Sequence, residues 1–334
     1  MLKNIVCNEL YVKKKRYLCK SVSLTTRFRS AHNKTIYTMK DFNRQEFQAL
    51  AKPVLDTPFY DEEAWQCDDF YDYATETEEE DEYNGPELGY EDVMETIEGM
   101  VFRDMTMQIP EAAAKLLEYV YGVAIENHDA TRIHNYGTLF YDGRIGKQDF
   151  NKAAELYELG AKYGCPNSIC ALGYIWYYGR TGNVDYEKAY MYFSNSVFRD
   201  NDATSLYKIG DMYKNGYYVD KDMDTAFKIY ERSYEIFLKD KDDFDYDPSK
   251  VADVAFRLGE CYLNGLGVEE DTMKALELLQ LAERGFVSRV SEGDYFLRKM
   301  LKATIEKENE ARQKLSKDLP DEDWAKDLTG YSSL

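Results

Sequence analysis

The sequence predicts an all-α protein, an α/α solenoid in which antiparallel helix pairs stack on one another. A motif with two glycines, an aspartate and an alanine at fixed positions recurs four times between residues 125 and 287. Around each copy, apolar residues are spaced three and four positions apart, which is the period of one helix face. The chain has 334 residues, of which 44% are hydrophobic and only 7 are proline. This composition excludes collagen-like and globally disordered chains, and it leaves enough apolar residues for a buried core.

Charge is unevenly distributed along the chain, whose formal net charge is −20. Residues 1–40 contain ten Lys and Arg but one acidic residue, whereas residues 53–102 contain eighteen Asp and Glu and no basic residue. A strongly acidic body repels phosphate backbones, so we expect no nucleic acid partner. No apolar run reaches the roughly 18 residues that a membrane-spanning helix needs, so we expect no membrane span.

The residues before the repeats differ from them in composition. Residues 1–38 are basic, and we interpret them either as part of the natural protein or as a mis-assigned upstream extension before a start at Met39. N-terminal sequencing of the natural protein distinguishes the two. Residues 39–89 are expected to form one N-terminal helix followed by a flexible acidic linker, because so acidic a segment cannot bury a core.

Residues 90–124 are predicted to form a degenerate leading helix pair. One helical face is shared by the apolar residues Val93, Ile97, Met100 and Val101. Pro110 is expected to open the second helix, because the N–H that proline lacks has no partner in the first turn of a helix. Terminal repeats of a solenoid are commonly atypical, since one of their faces meets solvent.

The four repeats within residues 125–287 share residue types at the same offsets. Each first helix contains an apolar residue followed by glycine, at Tyr136-Gly137, Leu172-Gly173, Ile209-Gly210 and Leu258-Gly259. A second glycine follows six positions later, at Gly143, Gly179, Gly216 and Gly265. An aspartate with alanine four positions after it comes next, at Asp149, Asp185, Asp222 and Asp271. Four residues past that alanine stands a large side chain, at Tyr157, Phe193, Tyr230 and Leu279.

These offsets specify a pair of antiparallel helices. A glycine inside a helix costs about 1 kcal/mol relative to alanine, so its recurrence predicts a close approach by another helix that a Cβ atom would block. The second glycine is predicted to end the first helix with a positive φ. The aspartate is predicted to cap the second helix, because its carboxylate can accept hydrogen bonds from the free N–H groups there.

The repeat within residues 255–285 carries the motif most completely, as Leu258-Gly259-Glu260-Cys261-Tyr262-Leu263-Asn264-Gly265 and then Asp271-Thr272-Met273-Lys274-Ala275. This pattern resembles the Sel-one-like repeat, a tetratricopeptide-like helical repeat. The resemblance covers about half of the chain and implies an interaction scaffold or adaptor rather than a catalyst. Two repeats depart from the pattern, because Tyr136 stands where Leu is usual and Thr225-Ala226 stands where Lys-Ala is usual.

Residues 288–317 are predicted to form a charged capping helix, and residues 318–334 a loose tail. We expect an apolar stripe on the capping helix to cover the last repeat. The stripe consists of Phe296, Leu297, Met300, Leu301 and Ile305.

No catalytic, cofactor or metal site is predicted. The six cysteines form no C-x-x-C pair and no histidine cluster accompanies them, so the ligand set of a structural zinc site is missing. His128 and His134 fall on different helix faces, and no serine-centred elbow accompanies them. The segment 143–148 differs from a phosphate-binding loop, because its glycines are too close together and no Ser or Thr follows Lys147. The acidic stretch 220–231 lacks the central glycine of a calcium loop.

The candidate binding surface is one face of each first helix, because first helices line the concave groove of tetratricopeptide-like solenoids. Three positions of each repeat share this face: two before the apolar residue, and one and four after the glycine. They are His134, Thr138 and Tyr141; Cys170, Tyr174 and Tyr177; Tyr207, Asp211 and Lys214; and Phe256, Glu260 and Leu263. Five of these twelve are Tyr or Phe, which offer rigid area at protein contacts. In a tyrosine-rich chain such residues also form cores, and this alternative stays open.

The sequence therefore predicts a non-catalytic scaffold that holds a protein or peptide partner in the groove. A cytoplasmic location, with reduced cysteines, is expected because no signal peptide or transmembrane segment is found. Two alternatives stay open: a hydrolase-type enzyme on a degenerate repeat scaffold, and an acidic segment that acts as a decoy for a polyanion-binding partner. A cluster of perturbed titratable side chains in a pocket would favour the enzyme.

Overall fold

The computed structural model describes residues 40–60, 89–239 and 248–318. Twelve α-helices and two short 3-10 helices form the regular secondary structure of these residues, so the predicted all-α fold is confirmed. Within these ranges no helix is both long enough and apolar enough to cross a membrane. The predictions for residues 1–38, for most of the acidic linker and for the tail lie outside the described residues. By compactness the chain divides into two units, Met1–Ser168 and Ile169–Leu334.

The first unit contains helices α1 to α5 in the described residues. Their bounds are α1 Arg44–Leu55, α2 Tyr90–Phe102, α3 Glu111–Glu126, α4 Ala130–Tyr141 and α5 Phe150–Lys162. All five contribute to one hydrophobic core, through residues such as Phe47, Ile97, Leu116, Leu139 and Leu156. Helix α1 packs against α3, so the helix before the acidic segment is part of this core. Pro110 immediately precedes α3 with a φ of −60°, as proline at a helix start requires.

The second unit contains most of α6 and all of the helices after it. Their bounds are α6 Pro166–Tyr178, α7 Tyr186–Asp200, α8 Ala203–Asn215, α9 Met223–Lys239, α10 Ala252–Asn264, α11 Thr272–Ser291 and α12 Arg298–Asp318. Phe193 and Met212 lie in one hydrophobic cluster of this unit, and Tyr230 and Phe286 lie in another. Tyr213 packs against both clusters, so the apolar interior of this unit is continuous.

The four helical glycines lie where the second helix of the same pair passes closest, as the sequence predicts. A Cβ atom added to any of them would overlap the large residue that the second helix carries eight positions after its aspartate. The distance from the added Cβ atom to the nearest side-chain atom is 2.8 Å for Gly137 and Tyr157, 2.5 Å for Gly173 and Phe193, 2.6 Å for Gly210 and Tyr230, and 2.8 Å for Gly259 and Leu279. The recurrence of glycine and of the large residue therefore has one steric cause, the close packing of the two helices.

The turn within each pair also follows the prediction. The second glycine has a φ between 60° and 72° in all four repeats, at Gly143, Gly179, Gly216 and Gly265. The aspartate that follows accepts a hydrogen bond from the backbone N–H three residues later, at Asp149, Asp185, Asp222 and Asp271. These caps satisfy N–H groups that have no partner inside the helix.

The C-terminal helix differs from the prediction in its start and in its buried face. Helix α11 continues to Ser291, and α12 begins only at Arg298, because the chain turns at Gly293 with a φ of 107°. The predicted stripe is wrong in part, since Phe296 is 93% exposed and Ile305 is 40% exposed. Leu297, Met300 and Leu301 do pack against the core of the second unit. Farther along α12, Thr304 and Ala311 are fully buried and Glu308 is almost fully buried, so the buried face continues from Met300 and Leu301 and leaves Ile305 at its edge.

Candidate functional site

The candidate residues of the first repeat lie between the two helices of their own pair. His134, Thr138 and Tyr141 are all half-buried. The His134 ring stacks on the Tyr157 ring of α5 with centroids 5.0 Å apart, and the Thr138 hydroxyl lies 3.2 Å from the Tyr157 hydroxyl. The Tyr141 ring meets the Phe150 ring edge-on at 5.1 Å. These three side chains therefore join α4 to α5.

His134 also contacts a serine that the sequence analysis did not connect with it. The Ser168 hydroxyl lies 3.2 Å from His134 Nδ1, and burial lowers the pKa of His134 to about 4, so this ring is neutral at pH 7. A nucleophilic serine must be open to its substrate. Ser168 is fully buried, and a Cβ atom added to Gly160 would lie only 2.5 Å from its hydroxyl oxygen. The contact therefore serves packing, because a buried serine hydroxyl cannot attack a substrate.

A cluster of charged side chains joins α2 to α4 in the first unit. The Arg132 guanidinium donates to Glu91 at 2.9 Å and to Asp129 at 2.7 Å. Glu98 lies 3.7 Å from Arg132 Nε and accepts a hydrogen bond of 2.6 Å from the Asn135 side chain. Burial raises the pKa of Glu98. The Arg132 guanidinium thus partly neutralises the charge of three neighbouring carboxylates. These ion pairs hold the two helices together.

In the second unit, the candidate residues of α6 and α8 contact one another directly. The Tyr174 and Tyr207 hydroxyls lie 3.0 Å apart and share a hydrogen bond. Tyr177 and Tyr207 are buried, and Tyr174 is half-buried. Burial raises the pKa of the Cys170 thiol, which keeps it protonated and weakly nucleophilic at pH 7.

Lys208 lies in a cage of tyrosine rings that the sequence analysis missed. Its ammonium nitrogen lies between 5.0 and 5.6 Å from four ring centroids, those of Tyr174, Tyr177, Tyr178 and Tyr207. It donates a hydrogen bond of 2.8 Å to the Tyr178 hydroxyl. The lysine is almost fully buried, whereas Tyr178 is 46% exposed. Cation–π contacts and this hydrogen bond compensate for the water that the ammonium loses.

Asp211 connects α8, α9 and α10 through one buried carboxylate. Arg257 of α10 donates to it through Nε at 2.5 Å and Nη2 at 2.6 Å. The Tyr230 hydroxyl of α9 donates at 2.9 Å, and Lys208 lies 3.4 Å away. Burial alone would raise the pKa of Asp211, but the Arg257 guanidinium lowers it to about 2. The carboxylate therefore stays ionised and holds its donors in place.

The donors that the sequence analysis missed share one repeat position, immediately before the apolar-Gly pair. This position is occupied by Asn135, Lys208 and Arg257, and by Ala171 in the remaining repeat. Each of the three polar residues donates to the preceding first helix, to Glu98, Tyr178 and Asp211 respectively. A polar donor recurring next to an apolar pair is the signal that could have identified them.

The candidate residues of the last repeat contact α12. Glu260 accepts from Lys214 of α8 at 2.8 Å and from Lys307 of α12 at 3.0 Å. Phe256 and Leu263 are buried, and the Leu263 carbonyl accepts a hydrogen bond of 2.7 Å from Lys314 of α12. The C-terminal helix thus occupies part of the surface on which a ligand was expected.

The twelve candidate positions therefore lie on the predicted helices, but much of their area is used within the chain. Tyr177, Tyr207, Asp211, Phe256 and Leu263 are buried. A buried side chain cannot contact a partner unless the helices move apart. The accessible part of this surface in the second unit includes Tyr178, which was not among the twelve, and Lys214, whose side chain is 30% exposed. Among the described residues, no three His, Cys, Asp or Glu side chains are arranged to hold a metal ion.

Comparison with known proteins identifies the repeat. The family model of the Sel1 repeat matches four segments of the chain, residues 133–164, 166–196, 203–235 and 252–284. Each segment begins in the first helix of a pair; three end within the second helix and the first ends two residues after it, so the predicted resemblance to this repeat is confirmed. The comparison with curated proteins found no match.

Two solved structures are similar to this chain. The Sel1 repeat protein from Oxalobacter formigenes is 18% identical, and the match covers 52% of this chain and 65% of that protein with a TM-score of 0.44. The protein c5321, a protective antigen of uropathogenic Escherichia coli strains with an SLR fold, is 16% identical over 80% of this chain and 64% of that protein, with a TM-score of 0.37. The chain therefore spans just under two thirds of the length of each.

Proposed function

Because the chain carries four Sel1 repeats, a repeat generally found in protein–protein interaction scaffolds, we propose that it is a non-catalytic scaffold for a protein or peptide partner. The partner contacts the first helices of the repeats. The net charge of −20 opposes binding to a phosphate backbone, which favours a protein partner over a nucleic acid.

The contact between successive first helices in the second unit carries this proposal. Side chains at the candidate positions of α6, α8 and α10 meet directly, as in the Tyr174–Tyr207 hydrogen bond and the Lys214–Glu260 ion pair. Helices joined in this way lie side by side, so their accessible edges form one surface. Tyrosine, which this surface contains, is enriched at protein interfaces.

The buried polar network beneath this surface supports binding without a large ordering cost. The Asp211 carboxylate and the Lys208 ammonium hold tyrosines from three helices in defined positions. A surface whose side chains are already ordered loses less conformational entropy when a partner binds. We therefore place the main contact around Tyr178, the most exposed tyrosine of this cage.

Capture from native lysate with matched baits tests the proposal. The Tyr178→Ala bait removes an exposed ring from the first-helix surface, and the Phe198→Ala bait removes a ring that is 89% exposed on the second helix α7. Tyr174 and Tyr177 are less suitable targets, because less of each ring is accessible to a partner than of Tyr178. We expect quantitative mass spectrometry to find a protein that the wild-type and Phe198→Ala baits retain and the Tyr178→Ala bait loses. Equal retention by all three baits, or no retained protein, would contradict the proposal.

A further inference from the structure

Helix α12 is bound to the last repeat by two lysines seven residues apart. Lys307 pairs with Glu260 at 3.0 Å, and Lys314 pairs with Glu270 at 3.0 Å. Lys314 also donates to the Leu263 carbonyl at the C-terminal end of α10. Residues seven apart lie on the same face of a helix. A basic edge of α12 therefore faces two carboxylates and the negative end of a helix dipole.

The interface between these lysines is made of small and polar side chains. Thr304 and Ala311 are fully buried, and Glu308 is nearly so. Glu308 pairs with Arg312 of its own helix and lies beside Glu283 of α11, a contact that raises the pKa of Glu283. Two carboxyl groups in contact repel each other when both are ionised. The larger apolar contacts of α12, those of Met300 and Leu301 with the core of the second unit, lie before the first of the two lysines.

Helix α12 packs mainly on α11, and its two lysines reach across to the first-helix surface of α10. Glu260 belongs to the candidate binding face of α10 and also pairs with Lys214 of α8. Lys307 of α12 reaches the same carboxylate from the other side. Glu260 is therefore paired with a basic helix that lies outside the repeats and belongs to the same chain.

We propose that the surface of α10 and α11 beneath α12 is a docking site for a helix with two basic residues seven positions apart, and that α12 is its intramolecular occupant. A partner helix with this charge pattern displaces α12. The complementarity of the two lysines to Glu260, Glu270 and the end of α10 selects this class of partner. The inference rests on the proposed scaffold function and names one partner class for it, but it does not involve the Tyr178 surface.

A labelled peptide with the sequence of residues 298–318 tests this site in the full-length chain. Its binding to wild-type protein should be weak, because the tethered α12 competes at high effective concentration. A chain with Lys307→Glu and Lys314→Glu keeps the docking surface and weakens its own α12. We expect that chain to bind the peptide at least tenfold more tightly in fluorescence anisotropy. A peptide carrying the same two substitutions is the matched control and should bind neither chain.

Exchanging the charges of the ion pair between positions 270 and 314 distinguishes binding at this site from binding elsewhere on the chain. The exchange uses a chain with Lys307→Glu and Lys314→Ala, whose own α12 has no acidic group at position 314 to pair with a new lysine at position 270. Adding Glu270→Lys to that chain should weaken binding of the wild-type peptide at least fivefold, and a peptide with Lys314→Glu should recover that loss. Hydrogen exchange of the unmodified chain provides a second measurement, in which α12 should exchange faster than α10 and α11. Equal protection of the three helices, or equal affinity of the two chains for the peptide, would overturn the inference. Tyr178-dependent capture would be unaffected by that outcome.

Discussion

Asp211 shows at the scale of single residues how the second unit joins three helices with one side chain. Its carboxylate accepts from Arg257 and Tyr230 and lies close to Lys208. Sequence analysis placed Asp211 on a binding face, because its position on the helix is correct for that face. It could not identify the burial, since the position of the arginine on the next first helix decides whether this aspartate is enclosed.

Removing the Asp211 side chain should therefore be costly. Asp211→Ala leaves Arg257 and Lys208 buried without their common acceptor, and we expect the free energy of unfolding to fall by about 3–5 kcal/mol. Urea unfolding followed by circular dichroism at pH 7 measures it. Asp220→Ala, at an exposed position before α9, is the control and should change stability by less than about 0.5 kcal/mol. Similar losses for the two variants would contradict the role of Asp211.

The buried ring of His134 predicts a pH dependence of stability. Its pKa is about 4 in the folded chain, against an ordinary value of 6.5 for a solvated histidine, so the unfolded chain binds the proton more readily. Stability is therefore lost as the pH falls from about 6.5 towards 4, by about 2 kcal/mol at pH 5. The His134→Gln variant has no group at this position that takes up a proton in this pH range. Its unfolding midpoint in urea should fall less than that of the wild type between pH 7 and pH 5, and an identical fall would contradict the prediction.

At the scale of helix pairs, glycine and its large partner define the contact between first and second helices. Both were predictable from sequence, because their spacing is fixed within each repeat and the energetic cost of glycine in a helix needs a reason. The N-terminal caps were predictable for the same reason. The start of α12 was not, because the single turn at Gly293 interrupts a continuous helical pattern.

Alanine at two helical glycines should have opposite effects. In Gly210→Ala the new Cβ atom would lie 2.6 Å from the ring of the fully buried Tyr230, and we expect a loss of about 1–3 kcal/mol in the free energy of unfolding. Gly122 of α3 has no atom within 4 Å of the equivalent position. Gly122→Ala should therefore stabilise the chain by up to about 1 kcal/mol. Thermal and urea unfolding compare the two variants, and a stabilising Gly210→Ala would contradict the packing argument.

At the scale of the whole molecule, the repeats explain the fold but not its division into units. Residues 125–287 are one series of repeats in the sequence, whereas the division of the chain into compact units falls between Ser168 and Ile169, inside α6. A repeat motif records contacts between a helix and its nearest neighbours. The motif does not specify the charge clusters around Arg132 and Asp211 or the position of α12. Each of these depends on residues outside the motif.

The central claim is that a protein partner contacts the first helices of the repeats. Site-specific photo-crosslinking tests it most directly, with a benzophenone amino acid placed at Tyr178 or, as the control, at Phe198. We predict that illumination in native lysate joins a specific protein to the chain labelled at position 178, and that the same protein is missing at position 198. A specific crosslink at position 198 but not at 178 would contradict the claim, because it would place the partner on the second helices.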